Sequence, residues 1–170
     1  MSELAPEQLA FRNAMAHMSA AVSVITSNGP AGRCGITATA VCSITDSPPT
    51  LMVCVNRSSA LNPVFKGNGR LCINVLGGQH EELARHFAGM TDLAMDQRFA
   101  LHPWRDGIHA LPVLEDALAS LQGRIREVQE IGTHSLMLVE LEEISVQEQG
   151  DSLVYFKRSF HRLQRPCRAA

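Results

Sequence analysis

The chain of 170 residues is 45% apolar and 19% charged, with a net charge of −2. That length suits one domain, residues 1–170, with a substantial core. The weak acidic balance argues against general affinity for nucleic acid or an anionic membrane. No apolar run approaches the roughly 20 residues of a membrane span. The N-terminus lacks a basic region followed by an apolar run, so it does not read as a secretory signal. A cytoplasmic protein is expected.

In chain order, Pro6 to His17 predicts a helix, with Leu9, Phe11, Ala14, Met15 and Met18 near one stripe. Ala21 to Thr26 predicts a β-branched strand ended by Asn28-Gly29-Pro30. Gly35 to Thr45 reads as one strand. Ile36, Ala38, Ala40, Cys42 and Ile44 alternate with Thr37, Thr39, Ser43 and Thr45, and Val41 breaks the pattern. Such alternation puts the two sets on opposite faces. A face of small side chains and hydroxyls, rather than Lys, Glu or Arg, lets a flat polar ligand approach the backbone.

After a turn at Pro48-Pro49, Thr50 to Val55 is almost wholly apolar and predicts a strand covered on both faces. Ser58 to Pro63 starts a short helix with a serine N-cap. Arg70 to Leu76 predicts another buried strand, and Gln79 to Phe87 a second helical pattern. Gly89 to Pro112, with the sole tryptophan, Trp104, predicts a packed excursion without regular structure. Ala117 to Val128, His134 to Val146 and Ser152 to Phe160 read as strands, with a turn at Ile131-Gly132-Thr133 and a frayed tail from Leu163 to Ala170.

Six or seven strands with two or three short helices and hairpin-scale connections predict a mainly β, antiparallel barrel rather than a βαβ fold. The five cysteines, Cys34, Cys42, Cys54, Cys72 and Cys167, form no CxxC pair. Cys42, Cys54 and Cys72 fall in apolar strands and read as reduced core thiols. The GxGxxG dinucleotide fingerprint, the GxxxxGK[ST] phosphate loop and the GxSxG nucleophile elbow are missing. His80-Glu81 followed by His86 is not the HExxH zinc spacing, and no metal site is expected.

The ordered set GITATAVCSITDSPP, TLMVCVNRSSALNPVF, RLCINVL and ELARHFAG, followed by Gly132-Thr133-His134 and the run Leu153 to His161, resembles the short-chain flavin reductases of two-component monooxygenases. The resemblance covers roughly Phe11 to Arg162. It implies a split β-barrel, an antiparallel Greek-key barrel with a few peripheral helices, in a homodimer. It also implies an enzyme that reduces FAD or FMN with NADH, NADPH being left open. The reduced flavin then goes to a separate flavin-dependent, aromatic-hydroxylating monooxygenase. Two other readings remain on the same fold: an FMN oxidase of the pyridoxamine-phosphate oxidase kind, and a non-catalytic flavin-binding module.

The resemblance also assigns residues. Thr37, Ala38, Thr39 and Ala40 correspond to the segment along the flavin ring, where N–H groups and hydroxyls can donate to the ring's polar edge. Asn56, Arg57, Ser58 and Ser59 correspond to the phosphate region, and Val55, Asn74, Arg85, His86 and Phe87 are further flavin candidates. His134 falls on the nicotinamide side, where Thr133 replaces the family's frequent aspartate. Tyr155, Phe156, Lys157 and Arg158 complete the NADH candidates. No indispensable catalytic side chain is expected; His134 assists nicotinamide binding. Strand threonines, a helix cap, a core aromatic and a solvated basic strand end are the plain alternatives for these same residues.

Overall fold

A computed structural model describes residues 4–165. Helix α1 (Pro6–Met15) begins on a proline, which fits the first turn, and none of its side chains is buried. Strands β1 (Ala20–Ala21), β2 (Ser23–Ser27), β3 (Cys34–Ala38), β4 (Val41–Asp46) and β5 (Pro49–Asn56) precede helix α2 (Asn62–Asn68). Strand β6 (Arg70–Val75) leads into helix α3 (Glu81–Phe87) and helix α4 (Met95–Ala100). Strands β7 (Trp104–Asp106), β8 (Pro112–Leu114), β9 (Ala119–Ile131), β10 (His134–Val146), β11 (Ser152–Phe156) and β12 (Ser159–Leu163) complete the order. The fold is mainly β, as the sequence predicts.

Seven strands form one sheet in the order β3-β2-β6-β9-β10-β5-β4, and every neighbouring pair is antiparallel. Its edges, β3 and β4, are consecutive in the chain and joined by Thr39-Ala40 alone. Flat, such a sheet would hold its edges about 29 Å apart, from strand spacings of about 4.8 Å. The three-residue step from Ala38 to Val41 spans at most about 11 Å. The sheet must therefore curl enough to bring its two edges within that reach at Thr39-Ala40. One cluster confirms this: Ile25, Val53, Val55, Phe65, Leu71, Ile73, Met137 and Val139 pack together with Ile36 and Ala38 from one edge and Val41 from the other.

The opposite face of β2 and β6 is covered by the second cluster, in which Val22, Val24 and Leu76 pack against Leu83, Phe87, Phe99 and Leu114. Double coverage explains why β2 is buried along its whole length. Gly35 lets α3 approach closely: a Cβ there would sit 2.6 Å from the Phe87 ring.

Several expectations need correction. Gly35 to Thr45 is two strands at opposite edges, because the chain leaves the sheet at Thr39. Thr50 to Val55 is covered on one face only; Leu51, Val53 and Val55 are buried, while Met52 and Cys54 remain partly exposed. Cys42 is exposed on edge strand β4, unlike buried Cys34 and Cys72. Helix α2 is flanked by Leu61, without a side-chain cap; Ser59 Oγ instead accepts from Leu61 N–H at 3.3 Å in the preceding turn. Residues 89–112 contain α4, β7 and the start of β8, organised by an edge-to-face cluster of Phe87, Phe99 and Trp104. Ser152 to Phe160 is a hairpin, β11–β12, turning at Lys157-Arg158 with φ of 46° and 62°. Of the expected frayed tail, Leu163 ends β12, and residues 166–170, with Cys167, lie outside the described residues.

Candidate flavin and nucleotide site

Where the curled edges meet, the chain runs through Thr37, Ala38 and Thr39. These residues line a cavity of about 170 Å³ together with Val22, Ala88, Met90, Tyr155 and Phe160. Tyr155 and Phe160 face each other across β11–β12, edge to face at 5.0 Å. Arg85 stands at the rim, its guanidinium 5.2 Å from the Phe160 ring and bonded to Glu81 at 2.7 Å. Thr37 Oγ1 donates to Ala84 O at 2.7 Å, tying the strand to α3.

Carbonyls in the seam are paired: Thr39 O accepts from Val41 N–H at 2.9 Å and Ala40 O from Cys54 N–H at 3.1 Å. The N–H groups of Thr39 and Ala40 meet no acceptor among the described residues. A ring edge rich in acceptors, as a flavin has, matches two free backbone donors beside a cavity walled by small and aromatic groups.

A second pocket, of about 530 Å³ and open to solvent, lies two residues further along β5. It is lined by Asn56, Arg57, Ser58, Gly132, Thr133 and His134, with Arg12 from α1. Register explains the grouping, since His134 opposes Asn56 across β5–β10. Its walls are largely self-bonded. Asn56 Oδ1 accepts from both the N–H and the hydroxyl of Ser58, each at 2.9 Å. Arg57 donates to Gly132 O at 3.1 Å and pairs with Glu130 at 3.1 Å. The Thr133 hydroxyl lies 2.9 Å from His134 Nδ1. Glu130, hydrogen-bonded by Lys66 and Ser135 and beside Arg57, stays ionised below the usual carboxylate range.

The residues expected at the site thus separate. Thr37, Ala38 and Thr39 join Tyr155, whereas Asn56, Arg57 and Ser58 join His134. Ala40 lies between, bonded to Cys54. Asn74 is fully buried away from both pockets. Its Nδ2 donates to Val24 O and Thr26 Oγ1 at 3.1 and 3.2 Å, and its Oδ1 accepts from Leu114 N–H at 2.8 Å. Val55 and Phe87 are buried, each 2% exposed, and line neither pocket. His86 is buried beside Thr91, with Nδ1 3.1 Å from the Thr91 hydroxyl. Phe156 packs near Lys157 and His161 rather than in either pocket.

Lys157 and Arg158 hold α1: Lys157 N–H donates to Ala16 O at 2.8 Å, and Arg158 donates to Asn13 Oδ1 at 2.6 Å. Phe160, Met90 and Arg12 join these pockets without a motif in the sequence to mark them. Phe160 opposes Tyr155 only once the Lys157-Arg158 turn is recognised.

Buried Cys34 and Cys72 have thiols pushed up to about 12 by desolvation, so neither provides a thiolate near neutrality. No cluster of three or more metal-ligating side chains occurs among the described residues, and no described helix is long and apolar enough to cross a membrane.

Comparison with known proteins identifies the scaffold. The flavin reductase like domain matches residues 15–164. The 4-hydroxyphenylacetate 3-monooxygenase reductase component of Pseudomonas aeruginosa is 75% identical over 170 residues, covering all of both chains. The FMN reductase (NADH) RutF of Cronobacter sakazakii is 47% identical over 160 residues, 94% of this chain and 95% of that one. Among solved structures, flavin reductase PheA2 in its native state is similar with a TM-score of 0.83 at 25% identity, covering 95% and 100% of the two chains. With the seam, the cavity and this match extending over nearly all its length, the chain belongs to the flavin reductase like family, as its ordered motifs indicate.

Proposed function

We propose that this protein is the reductase component of a two-component monooxygenase of the 4-hydroxyphenylacetate 3-monooxygenase type. It reduces FAD or FMN with NADH and releases the reduced flavin to a separate, aromatic-hydroxylating partner. The 75% identity to a reductase component of that name supports the partner class, and the 47% identity to an FMN reductase (NADH) supports the donor. The observation that carries the reading is the seam at Thr37–Ala40, where small side chains leave a cavity and two backbone donors stay free.

When bound, NADH supplies a hydride and the flavin ring accepts it. The chain's own part is positioning. Ala38 and Thr39 allow close approach to the backbone, the Thr39 and Ala40 N–H groups donate, and Tyr155 and Phe160 exclude water from one wall. His134, oriented by Thr133, faces the open pocket on the donor side. No side chain there needs to act as a strong acid, base or nucleophile.

A cavity held by few polar groups suits a flavin that leaves after reduction. The reading extends to a single-domain split β-barrel, to a cytoplasmic location and to a homodimer. Exposed Phe11, Met18, Ile44, Ile144 and Val146 are apolar surface that a second copy would cover.

Anaerobic mixing with NADH or NADPH and each of riboflavin, FMN and FAD, followed by loss of flavin absorbance, tests the proposal. Rapid bleaching with NADH and flavin that dialyses away support it. Tight flavin retention without NADH-dependent bleaching overturns it in favour of an oxidase or a carrier.

A further inference from the structure

The open pocket contains residues that the sequence assigns to phosphate, yet their polar groups are already engaged with one another. Ser58 turns both its donors onto Asn56, and Arg57 is tied to Glu130 and Gly132. Lys66 is held by the same Glu130 at 2.5 Å. Arg12 differs. Its side chain lines this pocket beside His134 and also the adjoining apolar groove with Glu7 and Phe11. Among the described residues its guanidinium has neither a carboxylate within salt-bridge distance nor a hydrogen-bond acceptor, whereas Arg57, Arg70, Arg85, Arg124, Arg126 and Arg162 all have carboxylate partners.

We propose that Arg12 grips a phosphate of the nucleotide that enters beside His134. This deepens the reading of the chain as an NADH-dependent flavin reductase and rests on it. A guanidinium presents several N–H donors in a fixed fork that fits phosphate oxygens. Arg57 and Lys66 share the one carboxylate of Glu130, and Arg12 adds a further cation at the mouth.

Placement of Arg12 depends on α1. That helix has no buried side chain and is fastened by Lys157 and Arg158 at its C-terminal half. Arg158, expected at a pyrophosphate, thus acts as a positioning residue: its guanidinium holds Asn13, one residue from Arg12. Arg12 lies just before the region that matches the family model, and within the full-length match to the 75% identical relative.

The test compares wild type, Arg12→Gln and Arg12→Lys using donors and flavins with and without phosphate. The donors are NADH and 1-benzyl-1,4-dihydronicotinamide; the flavins are FMN and riboflavin. If the grip is on the donor, Arg12→Gln lowers the kcat/KM ratio of NADH to the benzyl compound about tenfold, and calorimetry shows ADP-ribose binding about tenfold more weakly. If it is on the flavin, the FMN-to-riboflavin ratio and FMN binding fall instead. Arg12→Lys keeps the charge without the fork and falls between. Unchanged ratios and binding in Arg12→Gln overturn the proposal, even though wild type reduces flavin. Failure of wild type to oxidise NADH with any flavin overturns the underlying reading as well.

Discussion

Asn74 and the Thr39-Ala40 seam are both polar interruptions at an apolar sheet, and they differ in what remains for a ligand. Asn74 is fully buried, and its amide joins β2 to β8 through Val24, Thr26 and Leu114. The seam is exposed, pairs its carbonyls and leaves its N–H groups free. A buried polar group must find partners within the protein. A rim group can wait for one that comes and goes. Polarity within an apolar run marks a site only where donors remain after the fold has taken its share.

The comparison can be broken most forcefully at Asn74. Asn74→Ala leaves Leu114 N–H and neighbouring acceptors unpaired in a buried place, at a cost of about 3 kcal/mol. Urea unfolding should record that loss while the KM for flavin stays near wild type. A large rise in flavin KM at unchanged stability would assign Asn74 to the site after all. At the seam the opposite pattern is expected. Beside the seam, Ala88→Leu, at an exposed wall of the 170 Å³ cavity, should lower flavin kcat/KM about tenfold, or about 1.4 kcal/mol, with little loss of stability. Steady-state kinetics with FMN and thermal melting together separate the two.

His134→Ala sharpens the distinction between the pockets. It should raise the KM for NADH several-fold and leave single-turnover reduction largely intact. Complete loss of turnover with normal binding of both ligands would make His134 a catalytic residue. The smallest effect belongs to the hairpin tip. Arg158→Gly removes a left-handed non-glycine conformation that costs about 1 kcal/mol and also removes the tie to Asn13. Global stability should shift by less than about 1 kcal/mol, while amide exchange in α1 accelerates. Unchanged exchange would show that α1 is held by other contacts.

Much of this was legible in sequence because period and burial agree. The alternation around Ile36 to Thr45 marks extended backbone and its small residues correctly. It conceals that Thr39-Ala40 joins opposite sheet edges, because the polar-apolar rhythm runs through the break. The excursion at 89–112 lacks periodicity since Phe99 and Trp104 pack on α3 as single residues. Lys157-Arg158 hides a tight hairpin because neither residue is the glycine or asparagine such turns favour. Phe87, a flavin candidate by resemblance, packs in the core against Gly35, a contact that the helical pattern alone does not reveal. Arg12 carries no local signal at all; its meaning depends on which pocket α1 crosses.

That helix has a broader consequence. A surface segment fastened at one end, with no side chain committed to the interior, can be altered without unpacking the curled sheet. Grip at the open pocket would then be tuned by substitutions on α1, apart from the packing around the Thr39-Ala40 seam.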